Sequence, residues 1–86
     1  MKRLEYINNK NVIYKQLRDL RIKKGLTQSQ LAAKLQILNV NIDQQMISKI
    51  ENNARIVTDY EFACLCKIFD VDEKDLLKDY YNELYR

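Results

Sequence analysis

The chain has 86 residues, with one Gly, no Pro, no His, two Cys and a formal net charge of +3, which is room for one small domain around one core. No run of about 18 apolar residues occurs, so no membrane span is expected. A chain without His and with only two Cys lacks the usual participants in structural zinc sites and acid-base catalysis, so no metal, no cofactor and no enzyme activity is expected.

The charge is unevenly placed. Residues 1–55 hold 11 Lys or Arg against 4 Asp or Glu, for +7, and residues 56–86 hold 4 against 8, for −4. A basic half is what a polyanion-binding face needs, and ordinary surface charge is the alternative. Alternating apolar runs bounded by Gly or Pro are missing, so the fold is expected to be all-α, with ILNVNI (residues 37–42) as the one strand-like exception.

Residues 1–10, MKRLEYINNK, are set apart as an N-terminal extension, with the domain proper at 11–86. Lys2, Arg3 and Lys10 suit a basic arm, whereas Leu4, Tyr6 and Ile7 suit docking on the body or on a second subunit, and a frayed terminus is the third option. The segment lacks the apolar core of a signal peptide, so a cytoplasmic protein is the default expectation. The first helix is predicted from about Asn11, its cap, to Lys24, with Ile13, Leu17 and Leu20 as its core stripe. Arg21 extends that stripe, so it is expected to point partly inward and to need a carboxylate, for which Glu51 is the candidate. Gly25 suits a left-handed stop.

The second helix opens with Thr27 and Gln30 in capping-box spacing, and Leu31, Ala32 and Leu35 face the core while Ala32 and Ala33 permit close helix approach. Gln28, at the positively polarised start of that helix, is placed to contact a phosphate. After Leu35 the stretch QILNVNI offers Ile37, Leu38, Val40 and Ile42 as anchors, which predicts a lengthened second helix and a packed loop before Asp43 caps the third.

The third helix, QQMISKIEN, organises the reading. Ile47, Ile50 and Ala54 mark its buried stripe, with Met46 at the margin. The opposite side presents Gln44, Gln45, Ser48, Lys49 and Asn52, a set rich in the amide and amine groups that bond base edges and phosphates. Asn53 suits a left-handed cap after it. The fourth helix starts at Thr58 with Glu61 in capping-box spacing, and Phe62, Leu65, Cys66 and Phe69 form its stripe. Cys64 and Cys66, two apart on this helix, point to different sides and are expected to be unbonded. Asp72 is expected to cap a fifth helix with a broad band of Leu76, Leu77, Tyr80, Tyr81 and Leu84, either a dimer surface or a seat for Leu4, Tyr6 and Ile7.

The segments LRDLRIKKGLTQSQLAAKL, MISKIENN and VTDYEFACLCKIFDVDEKDLL together resemble the Cro and lambda-repressor type of helix-turn-helix proteins, the Xre-like family, over roughly residues 12–78. The resemblance implies a five-helix fold. It implies that Gln28 touches a phosphate and supports a recognition-helix Gln, that Gln44, Gln45 and Lys49 read bases, and that Asn52 and Arg55 hold the DNA backbone. Arg21 and Glu51 match a structural ion pair of the family. The chain departs from the pattern between the second and third helices, where Gln36 replaces a Gly and about five residues are added.

The function expected on these grounds is a sequence-specific, DNA-binding transcriptional regulator, a repressor, reading the major groove of double-stranded DNA with residues 44–52. Lys23, Lys24, Lys34 and Arg55 are the candidates for sequence-blind phosphate attraction. One such helix reads only a few base pairs, so a homodimer is expected. The competing expectation is an antitoxin or protein-interaction module that binds a partner protein through its Tyr-rich C-terminal helix.

Overall fold

A computed structural model describes residues 9–85. The proposed roles of Lys2, Arg3, Leu4, Tyr6 and Ile7 fall outside the described residues. Six helices and no strand occur among those described: α1 (Tyr14–Lys23), α2 (Gln28–Ile37), α3 (Gln44–Glu51), α4 (Asp59–Phe69), α5 (Glu73–Leu76) and α6 (Lys78–Leu84).

A chain with one Gly still stops four helices with left-handed residues. Gly25, Asn39, Asn53 and Asp70 have φ of 72°, 63°, 57° and 54°. In each case the N–H of the left-handed residue and that of the residue after it fold back on the last turn, as in Asn53 N to the Ile50 carbonyl at 3.1 Å and Ala54 N to the Lys49 carbonyl at 2.8 Å. That pairing satisfies carbonyls the helix itself leaves open, and Asn and Asp tolerate the conformation because their short polar chains bond locally.

The starts are equally explicit. Thr27 Oγ1 accepts from Gln30 N at 3.0 Å while Thr27 N donates to Gln30 Oε1 at 2.8 Å. Thr58 and Glu61 repeat the arrangement at 3.4 and 3.0 Å. Asp72 N donates to Asp75 Oδ2 at 2.9 Å at the start of α5.

Several boundaries differ from expectation. The first helix begins at Tyr14 rather than Asn11, because Asn11 is spent otherwise: its Oδ1 accepts from Ile13 N, and its Nδ2 donates to the carbonyls of Ile50 and Arg55, each at 3.0 Å. Asn11 thus ties the approach to α1 onto the end of α3. Asn9 and Lys10, assigned to the extension, are tied there too, since Asn53 Nδ2 donates to Asn9 Oδ1 at 2.6 Å and Asn53 Oδ1 accepts from Lys10 N at 2.8 Å. Ala54 is exposed rather than buried, because α3 has already ended at Glu51. The expected fifth helix is broken at Leu77 into α5 and α6.

The core gathers Ile13 just before α1 and Leu17 within it, Leu31, Ala32 and Leu35 from α2, Ile47 and Ile50 from α3, Leu65, Cys66 and Phe69 from α4, and Leu76 from α5. Each fully buried large side chain contributes about 1.5–3 kcal/mol from burial alone. The lengthened turn between α2 and α3 joins this core through Val40 and Ile42, 3% and 1% exposed. Of the four anchors expected there, Leu38 is only half-buried and Ile37 stands in solvent, because α2 ends at Ile37 and the left-handed Asn39 turns the chain back. No helix among the described residues is long and apolar enough to cross a membrane.

Candidate nucleic-acid interface

The orientation of α3 follows from its two ends and its apolar stripe. Asp43 Oδ1 accepts from Met46 N at 2.9 Å, which caps the first turn. Ile47 and Ile50 are fully buried and Met46 is half-buried, so the helix cannot rotate without exposing them. The opposite side is thereby fixed outward: Gln44, Gln45, Lys49 and Asn52 are exposed and Ser48 is half-buried. Asn52 Nδ2 reaches Ser48 Oγ only at 3.5 Å, which leaves both groups largely available to a ligand.

Behind this face lies a chain of hydrogen bonds. Glu51, 6% exposed, accepts from Arg21 Nε on Oε2 at 2.6 Å and from Arg21 Nη2 on Oε1 at 3.0 Å. Arg21 Nη1 donates to the Leu26 carbonyl at 2.8 Å, so one guanidinium joins α1, the turn before α2, and α3. Its hydrogen bonds to Glu51 hold the guanidinium pKa above its already high ordinary value. The pair expected from the stripe of α1 is therefore present, bidentate and nearly dry.

Gln28, the first residue of α2, donates its Nε2 to Glu51 Oε1 at 3.1 Å. A carboxylate only accepts, so the amide of Gln28 must turn its nitrogen toward Glu51 and leave its oxygen toward α3. Gln44 Nε2 donates to that oxygen at 2.6 Å. Among the described residues nothing else engages Gln44, whose own oxygen and second N–H stand as one acceptor and one donor side by side. That is the complement of the N6–H and N7 edge that adenine shows in the major groove.

Arg55 sits differently from the other expected contacts. Its Nη1 and Nη2 donate to Glu61 Oε1 and Oε2 at 2.9 and 3.0 Å, and Nη1 also donates to the Ile56 carbonyl at 2.9 Å. Glu61 is 3% exposed. The Arg55 hydrogen bonds hold its carboxyl below the usual carboxylate range, against the opposing effect of burial. This second ion pair anchors the loop after α3 to the start of α4, and it offsets the charge Arg55 offers a phosphate. Sequence reasoning missed the partner because Glu61 already had a role as the third residue of a capping box, and a spacing of six residues across a loop follows no helical period. Lys23, Lys24 and Lys34 are exposed on α1 and α2 and on the turn between them.

Two helices joined by a turn, with the first abutting the exposed polar side of the second through a Gln–Gln bond, make a helix-turn-helix unit. A family model described as helix-turn-helix matches residues 17–76, from Leu17 in α1 to Leu76 in α5. The chain belongs to that family, the DNA-binding helix-turn-helix domains of the Xre and lambda-repressor type. No curated protein and no solved structure gives a significant match.

Proposed function

We propose that this chain is a sequence-specific transcriptional repressor of the cytoplasm that binds double-stranded DNA as a homodimer and lays α3 in the major groove. The observation that carries the reading is the oriented amide of Gln44, held by Gln28 and through it by Glu51, at the mouth of an exposed polar helix face. Gln44 and Gln45 bond adenine through its N6 and N7 edge, each good bidentate contact being worth about 1–3 kcal/mol of discrimination. Lys49, one turn on, takes guanine or a nearby phosphate. Ser48 and Asn52 fill the rest of the face, and Gln28 and Arg55 meet the phosphates on either side of it, Arg55 by the edge of its guanidinium turned away from Glu61. The domain that does this runs from Asn11, with the extension before it.

Two copies whose α3 helices lie about 34 Å apart on one DNA face read a near-palindromic operator. Selection of bound sequences from a random duplex library tests DNA binding, palindromy and half-site spacing together. Enrichment of a near-palindrome is the expected result, and a pool that stays random contradicts the reading.

A second reading has its own observation. No side chain of α6 is fully buried, Tyr81 and Tyr85 stack at 6.1 Å between ring centroids, and Leu84 and Tyr85 are 51% and 81% exposed. Such a face suits a partner protein, as in an antitoxin, and is compatible with DNA binding at α3. A toxin protein that copurifies and is released by replacing Leu84 and Tyr85 with Ser favours it.

A further inference from the structure

The turn between α2 and α3 carries polar groups that the assignments above leave unused. Val40 and Ile42 are locked in the core at 3% and 1% exposure, Val40 N donates to the Leu35 carbonyl at 3.0 Å, and Gln36 Nε2 closes the turn onto the Ile42 carbonyl at 2.9 Å. Between these anchors Asn39 and Asn41 are exposed. Ile42 N donates to the Val40 carbonyl at 2.9 Å, a three-residue turn centred on Asn41, so Asn41 is presented to solvent from a rigid frame between two buried neighbours. Its backbone N–H finds no acceptor among the described residues. Gln36, Asn39, Val40 and Asn41 line a shallow, open notch of about 260 Å³.

Position then decides what the notch meets. Asn41 lies three residues before Gln44, so their Cα atoms are at most about 11 Å apart. The major groove is about 12 Å wide. A group tethered within that distance of a side chain in the groove is within reach of the phosphate ridge at the groove's edge. Asp43, two residues on, has its carboxylate turned to Met46 N.

We infer that Asn41, with Asn39 beside it, binds a DNA phosphate on the ridge bordering the groove that α3 enters, through the Asn41 side-chain amide and backbone N–H and the Asn39 amide. The inference rests on the reading of α3 as the DNA-bound helix. The added residues of the turn are thereby an extension of the binding surface, one that fixes register without reading sequence.

The test is a phosphate-by-phosphate scan on the duplex selected by the unaltered chain, replacing each phosphate near the half-site edge by a neutral methylphosphonate. One replacement should weaken the unaltered chain five- to tenfold. The Asn41→Ala variant should bind the unmodified duplex five- to tenfold more weakly, select the same sequence, and lose nothing further at that one phosphate. Asn39→Gly keeps the left-handed backbone while removing the amide, and should lose two- to threefold at the same phosphate. Asn41→Asp adds a like charge on a surface position and should weaken binding more than Asn41→Ala does. Asn41→Ala binding as tightly as the unaltered chain, or responding to every methylphosphonate as the unaltered chain does, overturns the inference and leaves the reading of α3 standing. A chain that selects no duplex at all overturns both.

Discussion

Gln44 Nε2 donates to Gln28 Oε1 at 2.6 Å, and through that bond the first residue of α3 takes its amide orientation from the first residue of α2. Gln28 is itself oriented by Glu51 at 3.1 Å. Changing Gln28 to Ala should therefore act on DNA selection through Gln44. Each of Gln28→Ala and Gln44→Ala is expected to reduce the preference for the selected duplex over random duplex about tenfold, with the double variant little worse than either alone. Competition binding of the four proteins measures the coupling, and simple multiplication of the two losses argues against it.

The Arg21–Glu51 pair supports the same face from below. Glu51→Gln keeps shape but removes the charge that two Arg21 nitrogens and Gln28 address, and it is expected to cost about 3–5 kcal/mol because a buried partner is left uncompensated. For a domain of this size each kcal/mol lowers Tm by about 4–8 °C. Arg21→Met on top of Glu51→Gln should recover part of the loss. A Glu51→Gln protein that melts with the unaltered chain shows that the pair contributes nothing.

Glu61 supplies a pH dependence with a definite sign. Its carboxyl is held below the ordinary range, first by the Arg55 hydrogen bonds, so the folded state binds this proton less readily than the unfolded chain, where a Glu titrates near about 4.3. The stabilisation is fully present above that unfolded value and disappears as pH falls through the folded one. Thermal melts between pH 7 and pH 2.5 should show Tm dropping on the acid side of about pH 4. Glu61→Gln should melt lower at pH 7 and show a shallower acid drop, and an unchanged acid slope in that variant removes Glu61 from the account.

The left-handed stops separate backbone from side chain. Asp70 has φ of 54°, and no hydrogen bond made by its side chain is found among the described residues, so Asp70→Gly should stabilise by about 0.5–1 kcal/mol. Asn53 has φ of 57° but also grips Asn9, Lys10 and Asn11 through its amide. Asn53→Gly keeps the turn and loses the grip, so it should destabilise by about 1–2 kcal/mol. Denaturant melts of the two variants should move in opposite directions.

How far the chain could be read without coordinates follows from where its information is local. Thr27 with Gln30, Thr58 with Glu61 and Asp43 before QQMISKIE announce helix starts within four residues, and Ile47 with Ile50 fixes which side of α3 is free. Arg21 and Glu51 are legible as a pair, although 30 residues separate them, because Arg21 extends the buried stripe of its helix and needs a carboxylate there. The failures are long-range or arise where one residue has two possible uses. Asn11 has the position and chemistry of a helix cap, whereas it bonds carbonyls about 40 residues away. Glu61 has capping-box spacing from Thr58 and is also the partner of Arg55. Ile37 is apolar and so suggests an anchor, but the left-handed turn at Asn39 decides its direction, and an Asn two residues later does not announce that turn by itself.

The claim on which the functional account stands is that the Gln44 and Gln45 side of α3 meets adenine edges in the major groove. Replacing the adenines of the selected half-site one at a time by 7-deazaadenine removes only the N7 acceptor and leaves base pairing intact. The account predicts that one or two such replacements weaken the unaltered chain about tenfold, and that a Gln44→Ala, Gln45→Ala double variant is indifferent to them. No loss at any adenine, or an equal loss in the double variant, contradicts it.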